Sequence, residues 1–328
     1  MDTIIQQDIK RIVAELNPFK EKIRNKSFLV TGGAGFIGSW FCDALVELGA
    51  NVTCVDNFSN GSEEHINHLM QKGNFKFIQA DVLSFTTDEI FDYIVHMASI
   101  ASPLSFSELS IETLDANTLG TRRMLELAVK NKVKGFLFTS TSEVYGDPPD
   151  ENIPTPETYY GYVNSYGPRA TYDEGKRCAE AYCLAFRNRF NIPTRIVRIF
   201  NTYGPRLDTK QTSQYGRAMA KFIHQALKRV PLTVYGDGKQ TRSFCYITDQ
   251  VAGLLKLLLL PNLDGEVVNI GNDQEITILD LADKVIKITN SKSEKQFLPL
   301  PKDDPRRRCP DISKARKFLG FNPHVSLD

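Results

Sequence analysis

The stretch YGPRATYDEGKR, residues 166 to 177, sets a phenol at Tyr172 and an amine at Lys176 one helical turn apart. Pro168 suits a first turn and the residues after it suit a helix interior, so a helix is expected from about Pro168 onward, with Tyr172 and Lys176 on one face. A free phenol titrates at about pH 10, too high for a base at neutrality. An ammonium beside it favours the phenolate and brings it toward the working range. Such a pair can take the proton of an alcohol while a hydride leaves the same carbon. Upstream, GFLFTSTSEVYGDP puts Thr141, Ser142 and Glu143 just beyond an apolar run, where Thr141 adds a hydroxyl to the same chemistry. Gly175 costs the helix roughly 1 kcal/mol relative to alanine, and its expected purpose is to clear space for a closely approaching cofactor.

Those groups need a scaffold, and the chain supplies one in alternation. SFLVT, NVTCVD, NFKFIQAD, FDYIVHMAS, VKGFLFTS and PTRIVRIFN are short apolar runs separated by helical patterns. That rhythm predicts an α/β fold with a Rossmann-type, doubly wound parallel sheet. Residues 1–26 form an N-terminal helical extension, with Ile5, Ile9, Ile12 and Leu16 at helical spacing. Residues 27–200 are expected to bind the dinucleotide, with a returning segment near 243–272. Residues 201–242 and 273–328 then make a smaller, interleaved C-terminal α/β domain for the substrate, with helices near 214–229 and 248–260.

The first run and its continuation, FLVTGGAGFIGSW, hold Gly32, Gly35 and Gly38 between a strand and a helix. Glycines there allow a tight turn, close backbone approach to a pyrophosphate and close packing of helix on strand, and the helix start offers unpaired amides to the anion. The second run ends in Asp56, where a carboxylate can accept from both hydroxyls of an adenosine ribose. NFSNGSEE after it has no Arg or Lys to meet a 2′-phosphate, so NAD is expected over NADP. Phe36, Ile37, Asn57, Asp81 and Val82 complete the expected cofactor set.

Forty basic against thirty-nine acidic side chains leave a net charge of +1, which favours neither nucleic acid nor a membrane surface as the main partner. The six cysteines, at 42, 54, 178, 183, 245 and 309, show no C-x-x-C pair and no metal-ligand spacing. Together with the absence of a signal-peptide pattern, that leads to the expectation of a cytoplasmic protein without a metal. The longest apolar run, VAGLLKLLLLP, is interrupted by Lys256 and is too short to span a bilayer.

The glycine spacing, Asp56, Thr141 and the Tyr172/Lys176 pair resemble the extended short-chain dehydrogenase/reductase family, over residues 27 to about 325. Within it, STSEVYGDP, GPRATYDEGKR, RIFNTYGPR, LTVYGDGKQTRSF and DDPRRRCPDI are most similar to UDP-glucuronate decarboxylases, also called UDP-xylose synthases. The resemblance implies a UDP-sugar substrate, tightly held NAD and a homodimer joined through helices near 107–131 and 168–190. It implies catalytic roles for Thr141, Glu143, Tyr172, Lys176, Arg217 and Arg308. Substrate contacts are implied for Ser142, Asn201, Tyr235 and Arg242, and again for Arg217 and Arg308.

Related 4,6-dehydratases carry an Asp where Ser142 stands, and related 4-epimerases carry a small or neutral residue where Glu143 stands. The Thr-Ser-Glu pattern therefore resembles the decarboxylases. Oxidising C4 of a glucuronate makes its C5 carboxylate a β-keto acid, which can lose carbon dioxide. Two other readings stay open: a UDP-sugar 4-epimerase, and a dinucleotide-binding sensor without chemistry. Asn117, within an expected helix, either positions groups near Tyr172 or serves as a buried structural link.

Overall fold

The computed structural model describes residues 2–102, 107–207, 218–301 and 303–327. In chain order the strands are β1 (Ser27–Thr31), β2 (Asn51–Asp56), β3 (Phe75–Gln79), β4 (Tyr93–His96), β5 (Gly135–Thr141), β6 (Thr194–Ile199), β7 (Thr202–Tyr203), β8 (Leu232–Tyr235), β9 (Thr241–Ser243), β10 (Cys245–Tyr246), β11 (Val267–Ile270), β12 (Glu275–Thr277), β13 (Lys295–Leu298) and β14 (Arg307–Arg308). The helices used below are α1 (Thr3–Leu16), α2 (Phe36–Glu47), α3 (Ser110–Asp115), α4 (Thr121–Asn131), α5 (Ala170–Phe190), α6 (Ala218–Lys228), α7 (Ile247–Leu259) and α8 (Ile278–Ile288).

A seven-stranded sheet runs in the order β11-β6-β5-β4-β1-β2-β3, and each neighbouring pair is parallel. The chain leaves β3 at one edge and returns beside β1 as β4. Connections from β1 and β4 therefore diverge, and the crevice between them opens at the C-terminal ends of the strands. Every residue of β4 and β5 is buried, as expected for central strands covered on both faces.

The alternation of side chains across the pleat divides the core in two. Phe28, Val30, Val52, Val95 and Leu137 face a layer built from α1, α2 and α7. Leu29, Val55, Ile94, Phe136 and Phe138 face the other way, against Met124 and Leu125 of α4 and Ala179 and Cys183 of α5. The N-terminal extension is part of the first layer: Ile12 and Leu16 are fully buried, Tyr246 donates its hydroxyl to Asp8 at 2.6 Å, and Lys256 pairs with Glu15 at 2.7 Å.

Beyond the sheet, β13 pairs with β8, and β9 lies between β12 and β14. Helices α6 and α8 cover this smaller unit around Phe222, Leu232, Val234 and Leu281. The parallel register of β14 on β9 sets Arg308 opposite Arg242. Helix α5 begins at Ala170, two residues later than the position of Pro168 suggests. Arg169 takes the cap position, and the amides of Ala170 and Tyr172 bond back to Gly167 and Arg169 as turns. No helix of the described residues is long and apolar enough to cross a membrane.

Candidate active site

One cleft of about 600 Å³ follows the C-terminal ends of β1, β2, β4, β5 and β6 and extends to β8, β9 and β14. Its first half is made by the glycine turn. Gly32 has φ +70°, and a Cβ on Gly38 would stand 2.2 Å from the Gly32 carbonyl oxygen, so helix α2 reaches the strand only without a side chain there. Phe36, Ile37, Asp56, Asn57, Asp81 and Val82 line the same half. The Asp56 carboxylate accepts from the amides of Ala34 at 3.0 Å and Phe58 at 2.8 Å, which fixes its direction, while burial pushes its pKa up. Asn57 donates to Asp81 at 2.8 Å. A bare glycine turn under the start of α2, with an oriented carboxylate at the end of the next strand, fits a dinucleotide.

The second half holds the reactive side chains. Tyr172 and Lys176 share the buried face of α5, and the Lys176 ammonium lies 6.0 Å from the centroid of the phenol ring. Lys176 donates to the Thr139 carbonyl at 2.8 Å, and burial pushes its pKa down to about 7. Thr141 ends β5 with its hydroxyl accepting from the Glu143 amide at 3.3 Å. Beneath them runs a buried polar chain: Thr31 to His96 at 2.7 Å, His96 to Thr121 at 3.1 Å, and Thr121 to the Asn117 carbonyl at 2.6 Å. Burial, reinforced by the Lys176 charge, lowers His96 to about 3, so it acts as a neutral strut.

Gly175 does not serve the purpose expected of it. A Cβ there would meet Asn117 Cβ at 3.2 Å and Leu114 Cδ1 at 3.5 Å, and Gly175 is not among the cleft-lining residues. It allows α5 to press against the π-helical turn Ala116–Gly120 that joins α3 to α4. Asn117 sits in that turn, 1% exposed, accepting from Ser99 at 2.8 Å, and its amide nitrogen has no hydrogen-bond partner. The glycine is thus explained by contact between helices.

Charge concentrates at the far wall. Glu143 is held between two guanidiniums, Arg308 on one carboxylate oxygen and Arg169 on the other. Burial works against its ionisation, but Arg308 and then Arg169 outweigh that and hold it well below the usual carboxylate range. Arg308 is 4% exposed and its second nitrogen donates to the Gly146 carbonyl at 3.0 Å. Of the three consecutive arginines, Arg306 turns to Asp147 and Arg307 to Glu275, so Arg308 is the one that lines the cleft. Arg242 lies beside it, paired with Asp304 at 3.0 Å.

Ser142, Asn201 and Tyr235 also line the cleft; Ser142 accepts from Arg308 at 3.4 Å, Asn201 donates to the Ser243 carbonyl at 3.4 Å, and Tyr235 lies under the Lys221 ammonium at 4.8 Å. Arg217 lies outside the described residues. Arg169 and Asp173 were not singled out from the sequence. Their i, i+4 spacing marks a helical ion pair, observed at 3.7 Å, but nothing local says that Arg169 also reaches Glu143.

The NAD dependent epimerase/dehydratase family matches residues 28–271, and the chain belongs to that family. NAD is its cofactor, in keeping with the glycine turn and Asp56. Among curated proteins, UDP-glucuronic acid decarboxylase 1 of Danio rerio is 43% identical across 97% of this chain and 79% of its own length. UDP-glucuronic acid decarboxylase 4 of Arabidopsis thaliana is 45% identical across 91% of this chain and 65% of its own length. Among solved structures, UDP-glucuronic acid 4-epimerase from Bacillus cereus, in complex with UDP-glucuronic acid and NAD, superposes with a TM-score of 0.80 at 32% identity, covering 92% of this chain and 95% of that one. An epimerase from Methanothermobacter thermautotrophicus gives 0.84 at 28% identity, covering 96% and 91%.

Proposed function

We propose that the chain converts UDP-glucuronate and one proton to UDP-xylose and carbon dioxide by oxidation at C4, decarboxylation, protonation at C5 and re-reduction at C4. The observation that carries this reading is Glu143, ionised between Arg308 and Arg169 at the end of β5, in one cleft with Tyr172 and Lys176. Tyr172 takes the C4 hydroxyl proton, aided by Thr141, and Lys176 supports the phenolate. NAD, which Gly32, Gly38 and Asp56 would hold, would supply the acceptor for the C4 hydride and the source of its return, so net redox is zero. Arg308, with Arg217, receives the uronate carboxylate and the oxyanion charge that develops as carbon dioxide leaves. Arg242 serves the diphosphate, Asn201 the sugar or phosphate, and Tyr235 the uracil. In this reading residues 201–242 and 273–328 form the nucleotide-sugar unit. The relatives named as UDP-glucuronic acid decarboxylases support it at 43% and 45% identity.

Incubating the protein and NAD with UDP-glucuronate and resolving the products by mass and proton NMR tests it. UDP-xylose with carbon dioxide and no lasting NADH is expected. UDP-galacturonate without loss of carbon dioxide establishes the second reading, a uronate 4-epimerase, which the Bacillus cereus structural neighbour favours.

The partner we propose is a second copy of the chain, docked on α3, α4 and α5. Ile111, Leu119, Leu184 and Phe190 on this surface are 71%, 45%, 56% and 44% exposed, apolar side chains that a second copy would cover. Sedimentation of the wild type against Ile111→Glu/Leu184→Glu tests it, with dissociation to monomer expected.

A further inference from the structure

Asp173 follows the phenol directly and has no role in the reaction described above. It is 5% exposed. One carboxylate oxygen lies 3.7 Å from Arg169 Nε, and the other has no hydrogen-bond partner. Arg169 in turn holds Glu143, which Arg308 holds from the opposite side. Two carboxylates and two guanidiniums thus form a chain, Asp173–Arg169–Glu143–Arg308, whose formal charges cancel.

A uronate carboxylate entering beside this cluster places a third carboxylate next to Glu143 and Asp173, and crowding like charges in a buried site raises the pKa of the least well paired of them. Protonating one of the two protein carboxylates relieves the crowding. Glu143 has two close guanidinium partners, whereas Asp173 has one long contact and a bare oxygen, so Asp173 yields first. We propose that Asp173 takes up one proton from solvent when a uronate enters the arginine cluster, and that this exchange lets the cluster accept the substrate carboxylate. The proposal rests on the uronate reading given above.

The surroundings support it. Burial, and after it the Glu143 charge, raise Asp173 to about 7, against the opposing effect of Arg169 and then Arg308, with Glu174 adding to the rise. The carboxylate is therefore poised to respond to one more neighbouring charge. Among the described residues, Tyr172 and Lys176 flank it on α5, Arg242 and Asp304 pair with each other across the cleft, and Glu112 of α3 lines that cleft; Asp173 itself stands behind the lining and meets it through Arg169. The carboxylate of Asp173 plus one solvent proton gives its neutral acid. When the substrate carboxylate has left as carbon dioxide and C5 has been protonated, the crowding is gone and Asp173 returns its proton.

The test uses the full chain loaded with NAD and a 4-deoxy analogue of UDP-glucuronate, which binds without turnover. Calorimetric titration at about pH 8, in buffers of different ionisation enthalpy, reads the protons exchanged. We expect close to one proton taken up per site with the uronate analogue and none with UDP-glucose. Affinity for the analogue should fall by up to about tenfold per pH unit above the free pKa of Asp173, until the bound group also ionises. Asp173→Asn should bind the analogue with no proton uptake and no such pH dependence. Uptake in that variant equal to wild type overturns the proposal, as does binding to wild type without uptake. If the variant does not fold, the infrared carbonyl band of a newly protonated carboxyl in the wild type decides, and its absence on uronate binding overturns the proposal. A protein that takes up the proton but epimerises the substrate keeps the proposal and loses the decarboxylase reading, whereas failure to bind any uronate removes both.

Discussion

The adenosine half of the cleft comes from continuous chain, a strand, three glycines, a helix and the next strand's terminal Asp56. The sugar half is assembled from β5, the first turn of α5, β9 and β14, which lie far apart in sequence and meet only when the smaller unit closes over the sheet. The first half works through backbone: amides and absent side chains. The second works through charge, with Glu143 fixed by arginines from two distant segments. Backbone sites tolerate little change of shape and charge sites little change of sign, so the two halves should fail differently when altered.

Removing the phenol should give the largest effect. Tyr172→Phe is expected to lower kcat by about 10²–10⁴-fold, the usual worth of a positioned acid or base, with UDP-sugar affinity nearly unchanged because the hydroxyl acts in the transition state. Single-turnover absorbance of NADH, with calorimetry for UDP-sugar binding, separates the two. Near-normal turnover would transfer the base function to another residue.

Arg308→Met tests the charge-built wall. Arg308 is 4% exposed, but the Glu143 it leaves is 20% exposed and keeps Arg169, so the loss in urea unfolding should fall below the roughly 3–5 kcal/mol of breaking a fully buried pair. Arg169→Met should cost less, because its side chain is 19% exposed and water can reach the carboxylate it leaves. Equal losses would mean that the clamp is not organised around Arg308.

At the other end, Asp56→Asn keeps the shape and removes the charge. NAD affinity should fall by roughly ten- to a hundredfold, corresponding to about 1.5–3 kcal/mol for hydrogen bonds to an ionised acceptor, and discrimination against NADP should shrink. Fluorescence titration with both cofactors measures it. Unchanged NAD affinity would detach Asp56 from the ribose.

The same contrast explains what could be read in advance. The glycine turn, Asp56 and the Tyr172/Lys176 face depend on residues a few positions apart, so helical and strand periods suffice to place them. Arg308 was reached through a resemblance, because three arginines in succession look alike until the register of β14 on β9 turns one into the cleft. The link from Arg169 to Glu143 could not be read at all, since it joins a helix cap to the end of a strand 26 positions earlier. Gly175 meets Asn117 and Leu114 where its break in helix propensity suggests a cofactor. A break in helix propensity reveals close approach but not by what, and here the approaching group is the turn that carries Asn117.

That last point makes Gly175→Ala the finest test of the comparison, with the smallest expected effect. Alanine gains about 1 kcal/mol of helix propensity, while forcing a methyl into a packed contact typically costs about 1–3 kcal/mol. The new Cβ would meet Asn117 Cβ at 3.2 Å and its amide nitrogen at 3.4 Å, so the π-helical turn must give by a few tenths of an ångström, whereas Leu114 at 3.5 Å is in ordinary contact. Only one neighbour is crowded, which puts the penalty toward the lower end. The two terms should nearly cancel, leaving a net loss of about 0–1 kcal/mol, seen as a small drop in Tm. NAD affinity should stay within about twofold of wild type, less than 0.5 kcal/mol, because Gly175 does not line the cleft. A large loss of NAD affinity with unchanged Tm would return Gly175 to the cofactor and erase the distinction between a glycine that clears a ligand and one that lets two helices touch.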